Sequence, residues 1–342
     1  MNKLTRILTI DGGGIRGLIP ARILVSLERK LQQRTGREDA RLAEFFDLMA
    51  GTSTGGLITC LLLAPGENAW TPAFAAQDIV DLYLDHGAQI FSANWSKRFR
   101  SLNGLRDERY EARGLEQLID DKVGDVWLSQ LIKPCLITAY DVTRRKAKFF
   151  TQHDARNDDK DYPIKVVARA TSAAPTYFEA MPGEDGRTPY AYVDGGLFAN
   201  NPAMCAYVEA YRKLAGKPTA ENMVILSLGT GQITRSYAYH SVKNWGMVQW
   251  LRPLIDIMMA SASETVDYQM RQLFMAHGRS PSYLRLQTTL ATDELDLAEL
   301  DNVSPANMKR LLALGVQLAD EHEAELDALV EMLVPATESI PA

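Results

Sequence analysis

Histidine and cysteine are scarce in this chain of 342 residues, at five and three copies. Cys60, Cys135 and Cys205 are odd in number and lack paired spacing, which argues against a disulfide framework and against a zinc site. Each is expected to pack as a small apolar side chain. A basic excess is missing as well. The formal net charge is −6, which argues against binding bulk nucleic acid through an overall basic surface and leaves only a local patch open. Long apolar runs are also absent. The opening MNKLTRILTIDGGG has no extended h-region and no small-residue cleavage site, so its apolar run reads as a strand rather than a signal peptide. Leu57 to Ala64, the most apolar helical stretch, is far too short to span a bilayer. The expectation is a soluble, cytoplasmic protein of a reducing compartment that can still touch a membrane surface. With no repeat, low-complexity tract or long linker, residues 1–342 are expected to form one domain. Its catalytic core would run over about 4–232 and its C-terminal helical part over about 242–335.

What is present is a composition 46% hydrophobic and 23% charged, enough for a substantial core. Leu4 to Ile10 reads as a strand ending in a glycine turn. Ile19, Ile23, Leu27 and Leu31 then form one helical stripe, stopped at Thr35-Gly36. Phe45 to Ala50 reads as a second buried strand, followed by GTSTGG and the helix LITCLLLA. CLITAYDV (135–142) and AKFFTQ (147–152) read as adjacent strands, residues 162–172 as a helix, and AYVDGG (191–196) and MVILSLGTG (223–231) as strands into turns. A long helical region follows at 242–277, then a late strand at 282–287 and two acidic amphipathic helices from Ser304. Alternating strands and helices predict an α/β protein with a mostly parallel sheet and helices on its faces.

Two turns compete for the chemistry. Gly12, Gly14 and Gly17 satisfy G-x-G-x-x-G after a strand, the fingerprint of a dinucleotide fold. That fold needs an acidic residue ending the second strand, about 20 residues after the glycines. Glu38 and Asp39 sit in a polar stretch before that strand, and the strand itself runs into GTSTGG, which disfavours a nucleotide-dependent oxidoreductase. Gly51-Thr52-Ser53-Thr54-Gly55 fits the nucleophile elbow G-x-S-x-G. A serine there sits on a sharp strand-to-helix turn that exposes its hydroxyl, with the helix N-terminus favouring negative charge nearby. The plain alternative is a glycine turn capping a helix. None of His86, His153, His240, His277 and His322 stands just after a strand in a glycine-rich loop, so the elbow has no evident histidine partner. Asp194, ending the strand AYV before Gly195-Gly196, supplies a carboxylate at a strand's C-terminal end, where a general base for serine would belong. A plain Asp-Gly turn remains the alternative.

In order along the chain, DGGGIRG (11–17), GTSTGG (51–56), ARATSAAPTYF (168–178), DGGLFANNP (194–202) and ILSLGTG (225–231) resemble segments of the patatin-like phospholipases, serine acylhydrolases with a Ser–Asp dyad. KPCLITAYDV with KAKFF (133–150) belongs to the same likeness, which spans roughly residues 4–330. The resemblance implies a three-layer patatin-like fold. It implies that Ser53 is the nucleophile, that Asp194 takes its proton and later activates water, and that Gly12, Gly13 and Gly14 form the oxyanion hole. Gly51 and Gly55 support the elbow. Arg16 matches a basic residue of the glycine loop, placed either to orient that loop or meet a lipid phosphate, or to form a structural salt bridge. No cofactor is implied. The substrate class would be fatty acyl esters of membrane glycerophospholipids, cleaved at the inner face of the membrane. A lipid-binding or storage protein that keeps the fold is the non-enzymatic alternative.

Two further stretches bear on substrate and control. Met247, Trp250, Leu251, Leu254, Ile255, Met258 and Met259 form an apolar stripe that lines an acyl groove or acts as a lid, or else packs as core or subunit contact, which leaves a homodimer open. The basic and aromatic run holding Trp95, Lys97, Arg98, Phe99, Arg100, Arg106, Arg109 and Tyr110 reads as a solvated loop, an anionic-headgroup contact or an effector pocket. Within the family the compact form resembles phospholipase effectors of anti-phage signalling, which implies activation by a cyclic dinucleotide held by arginine forks and stacked aromatics.

Overall fold

The computed structural model describes residues 4–91, 112–157, 160–175, 177–184, 189–233, 237–290 and 299–334. Strands β1 (Thr5–Ile10), β2 (Leu48–Thr52), β3 (Cys135–Asp141), β4 (Lys146–Thr151), β5 (Met181–Glu184), β6 (Pro189–Asp194) and β7 (Met223–Leu228) are followed by a short β8 (Gln232–Ile233), then β9 (Tyr283–Leu286) and β10 (Thr289–Leu290). Among the described residues the main sheet is 8-stranded in the order β5-β6-β3-β2-β1-β7-β9, with β4 also on β3. β3, β2, β1, β7 and β9 run parallel, while β4 and β6 pair antiparallel to β3. β8 and β10 form a separate small ladder.

The near-continuous apolar strands of the sequence follow from a sheet covered on both faces. Alternate residues point to opposite sides. Ile7, Leu48, Ala50, Met223 and Ile225 join one core with Ala203, Ala206 and Ala210 of helix Ala203–Lys213 and with Met270 and Phe274 of the long helix Met247–Ala276. Leu8, Ile10, Met49, Leu226 and Leu228 join the other. There they meet helices Leu18–Thr35, Thr54–Leu62, Ala76–Phe91 and Ile164–Thr171. The result is the three-layer α/β arrangement implied by the resemblance. The chain beyond residue 232 is woven into it: β9 extends the parallel sheet, and helix Pro305–Glu321 lies on helix Leu18–Thr35, where Gly315 lets it approach the Ile19 carbonyl and Arg22. No described helix is long and apolar enough to cross a membrane.

The expected strand from Phe45 starts later. Leu42–Phe45 is a helical turn whose Glu44 carboxylate accepts the Arg41 N–H at 2.8 Å, and Asp47 is held by a fork from Arg6, so β2 begins at Leu48. Local polar partners at the sheet entrance override the apolar pattern there.

The direction of β6 also departs from the simple expectation. Asp194 does not lie at the carboxyl edge of a parallel strand. β2 occupies one edge of β3 as far as Thr52, opposite Thr138, and β6 occupies the continuation of that edge, with Asp194 opposite Ala139. β4 fills the other edge. The antiparallel β6 therefore meets β2 head-on, and the two strand ends deliver Ser53 and Asp194 to the same place.

Candidate active site

Ser53 sits at φ 55, ψ −124 between β2 and helix Thr54–Leu62, a backbone conformation at ease only for glycine. The elbow glycines explain how the turn closes. A Cβ on Gly51 would enter the backbone of Gly55 and Gly56, and one on Gly55 would enter the carbonyls of Ile10 and Asp11 at the end of β1. The turn thus packs backbone on backbone, which any side chain would open. The Ser53 N–H donates to the Thr171 hydroxyl at 2.8 Å, and that hydroxyl donates in turn to the Thr138 carbonyl at 2.6 Å. Thr171 therefore ties the strained residue to β3. Thr171→Val leaves the buried Ser53 N–H unpaired and is expected to cost about 1–3 kcal/mol in chemical denaturation, while Thr171→Ser costs less than half as much.

The Asp194 carboxylate accepts the Gly196 N–H at 2.7 Å and is close enough to Ser53 for the serine hydroxyl to lower its proton affinity. Its own N–H is tied to the Ala173 carbonyl at 3.0 Å. The following loop is locked from below: the Thr52 hydroxyl donates to the Ala199 carbonyl at 2.6 Å and pairs with Thr138 at 2.7 Å. Burial pushes the Asp194 carboxyl up to about 7, against the opposing pull of the Ser53 and Gly196 hydrogen bonds.

The three loop glycines play different parts. The Gly12 N–H donates to the Asn200 carbonyl at 3.1 Å, so it is already engaged and does not line the central cavity. With its N–H paired inside the turn, Gly12 is placed differently from the two glycines that follow it. Gly13 and Gly14 do line the cavity, beside Ser53. The loop is pinned by the Thr230 hydroxyl, which donates to the Gly12 carbonyl at 2.6 Å, and by the Leu300 carbonyl, which accepts the Ile15 N–H at 2.9 Å. At its root Asp11 takes a two-pronged ion pair from Arg285, at 2.8 and 2.5 Å, and Arg285 also donates to Ser227 at 3.0 Å. Burial raises the Asp11 carboxyl while Arg285 pulls it down, so the pair holds the loop by geometry as much as by charge.

A cavity of about 840 Å³ opens from Ser53. Arg16, buried, lines it and donates weakly to the Gly13 carbonyl at 3.4 Å, leaving Nη1 without a hydrogen-bond partner. Burial lowers its guanidinium to about 10 against the pull of Asp256 and Tyr177. Arg169 lines the same cavity. It donates to the Glu179 carbonyl at 2.7 Å and likewise keeps an unpartnered Nη1. The first half of the long helix contributes Pro253, Ile257 and Met259 to the wall, while Leu254, Ile257 and Met258 are exposed beside it. Its second half is core through Met270 and Phe274. Of the predicted apolar stripe, Met259 lines the cavity wall, Leu254 and Met258 are exposed, and Trp250 packs edge-on against Trp245. Arg98, Arg100, Arg106, Arg109 and Tyr110 lie outside the described residues. Among the described histidines His322 reaches the cavity, where its Nδ1 is paired with Glu325 at 3.2 Å.

Thr171, Asn200, Thr230 and Arg169 stand inside quoted motif segments, but nothing in spacing assigned them a part. Arg285 stands outside every motif and had no local signal, since its partner is Asp11 at the other end of the chain.

A strained serine at the wall of a lipid-sized cavity lined by both apolar and charged side chains belongs to the class of lipid acyl ester hydrolases built on an α/β sheet. The chain is a member of the patatin-like phospholipase family, whose model matches residues 8–207. Patatin-like protein 2 of Arabidopsis thaliana is 36% identical over 350 residues, covering 95% of this chain and 85% of its own. Patatin-like protein 1 of Oryza sativa subsp. indica is 36% identical over 336 residues, covering 91% and 80%. Among solved structures, VipD from Legionella pneumophila is 13% identical with a TM-score of 0.36, covering 93% of this chain and 67% of that one, too loose an overlap to carry an argument.

Proposed function

We propose that the protein is a serine acylhydrolase of the phospholipase A or lysophospholipase type, cleaving fatty acyl esters of membrane glycerophospholipids through Ser53 and Asp194. The observation that carries it is the meeting of strained Ser53 and buried Asp194 at the abutting ends of β2 and β6, on the wall of one cavity. In the first step Ser53 Oγ bonds to the ester carbonyl carbon and its proton passes to Asp194. The carbonyl oxygen becomes an oxyanion received by the Gly13 and Gly14 N–H groups at the mouth of the helical turn Gly14–Gly17. Collapse breaks the ester bond, and the leaving alkoxide takes the proton from Asp194. Water, giving its proton to the same carboxylate, then releases the fatty acid and restores Ser53.

Arg16 and Arg169 favour a phosphate-bearing lipid over a neutral one. Both guanidinium groups lie at the cavity wall, and the carboxylate nearest Arg169, that of Glu116, stays at 3.9 Å, which leaves its charge to be completed by an anion. Arg169→Gln is expected to lower kcat/KM for a phospholipid 10- to 100-fold while a short neutral ester keeps its rate within about threefold. The regulatory reading, a cyclic dinucleotide that switches the enzyme on for antiviral defence, rests on the sequence of residues 94–110. It is tested by lipid release with and without cyclic dinucleotides, and activity indifferent to all of them ends it. The enzymatic reading is tested by a fluorophosphonate probe. A covalent adduct mapped to Ser53, together with fatty acid released from phospholipid vesicles, is expected. An unlabelled, inactive protein would leave the lipid-binding or storage alternative.

A further inference from the structure

Asn200 closes the loop that begins at Asp194, and its side chain is buried at the cavity wall. Its main-chain carbonyl accepts the Gly12 N–H at 3.1 Å, so the residue is fixed against the glycine loop. Its side-chain end flanks the reacting groups. Measured to the point where a Cβ on Gly12 would sit, Asn200 Oδ1 lies at 2.5 Å and Ser53 Cβ at 3.2 Å. Measured to the corresponding point on Gly196, Asn200 Oδ1 lies at 3.2 Å and Asp194 Oδ1 at 3.1 Å.

With the amide in that orientation, Nδ2 donates to the Ser263 hydroxyl at 3.1 Å and Oδ1 has no donor. A buried acceptor that receives no hydrogen is unfavourable because it has given up water without a replacement. The two ends of an amide have nearly the same shape, and hydrogen bonding decides which faces where. Turning the group by half a turn lets the Ser263 hydroxyl donate to Oδ1 and leaves the two N–H bonds aimed at the space between Ser53, Gly12 and Asp194.

We propose that the Asn200 amide is a catalytic residue, presenting Nδ2 to the site as a third donor to the oxyanion beside the Gly13 and Gly14 N–H groups, with Ser263 fixing its orientation. The assignment rests on Ser53 as nucleophile. It also gives the glycine loop a compensating logic: the residue that engages the Gly12 N–H through its main chain supplies a replacement donor from its side chain. Such a donor acts on the tetrahedral state rather than on the bound ester.

The experiment uses the full chain with Asn200→Ala, Asn200→Asp and Ser263→Ala. Each is measured for kcat and KM on a phospholipid, for inhibition by a trifluoromethyl ketone lipid, which forms a tetrahedral adduct on serine, and for binding of a non-cleavable ether lipid. Asn200→Ala is expected to lose roughly 10²- to 10³-fold in kcat. Its ketone affinity should fall in parallel, with KM and ether-lipid affinity within about threefold of wild type. Asn200→Asp, of the same size but without donors, should lose at least as much, and Ser263→Ala about tenfold. A kcat for Asn200→Ala within threefold of wild type would overturn the proposal, as would ketone and ether-lipid affinities falling together. Should Asn200→Ala fail to fold, Asn200→Asp and Ser263→Ala decide by the same criteria. Wild type that takes no fluorophosphonate on Ser53 sinks the nucleophile assignment itself, an outcome distinct from a labelled, active Asn200→Ala.

Discussion

Replacing Ser53 by alanine or by glycine is expected to reduce lipid hydrolysis by a factor on the order of 10⁴–10⁶, and the glycine variant is expected to be the more stable of the two. Both lose the oxygen proposed to attack, so their activities should be indistinguishable. Their stabilities should not be. At an ordinary position alanine is favoured over glycine by roughly 0.5–1 kcal/mol through the entropy of the unfolded chain. At φ 55, ψ −124 the order reverses, because holding a side chain there costs about 1–3 kcal/mol. The Gly variant should therefore exceed the Ala variant by about 1 kcal/mol in chemical denaturation. Equal stabilities, or alanine ahead, would mean that the turn is not strained and that the serine hydroxyl is not being held out by its backbone. Retained hydrolysis in either variant would remove Ser53 from the reaction.

The same turn shows what a sequence carries and what it does not. Gly51 and Gly55 are required by contacts within a few residues and with the neighbouring strand end, so G-x-S-x-G between an apolar strand and an apolar helix was enough to predict a sharp serine turn at Ser53. The layered α/β fold was legible for a similar reason, since strands covered on both faces read as unbroken apolar runs. Asp194 was singled out by its place at a strand end, yet the geometry that brings it near Ser53 is different. β6 arrives antiparallel along the edge of β3 that β2 vacates, and strand direction leaves no mark in local composition. Gly12 illustrates the same limit. Nothing in DGGG tells which of its N–H groups will be taken by a carbonyl nearly two hundred residues away, and Asn200 takes the first. Arg285 is the extreme case, an ordinary arginine in a late strand whose importance appears only when β9 is placed beside β7 and its side chain reaches Asp11.

Asp194→Asn should combine the second-largest loss of activity with a gain in stability that depends on pH. Asparagine can still accept the Gly196 N–H but cannot take the proton of Ser53, and a fall of at least 10³-fold in kcat/KM is expected. In wild type the carboxylate must be ionised to act as base, so kcat/KM should rise with pH and level off above about 7. Stability runs the other way. The folded-state value is raised from 3.8 to about 7, so between those limits the native protein holds a proton that the unfolded chain has released. The stabilising contribution is complete below pH 3.8 and is lost as pH rises through about 7. The full shift corresponds to at most about 4 kcal/mol. Asparagine does not titrate, so the difference in Tm between Asp194→Asn and wild type should widen in favour of the variant from pH 5 to pH 8 and then stay constant. A difference that is flat with pH would mean that Asp194 is already ionised throughout the range, and the carboxylate would then be too weak a base for the serine beside it. The enzyme on this account keeps a destabilising charge in its core at the pH where it works, and holds it there with the Gly196 N–H and the pull of the nearby Ser53 hydroxyl.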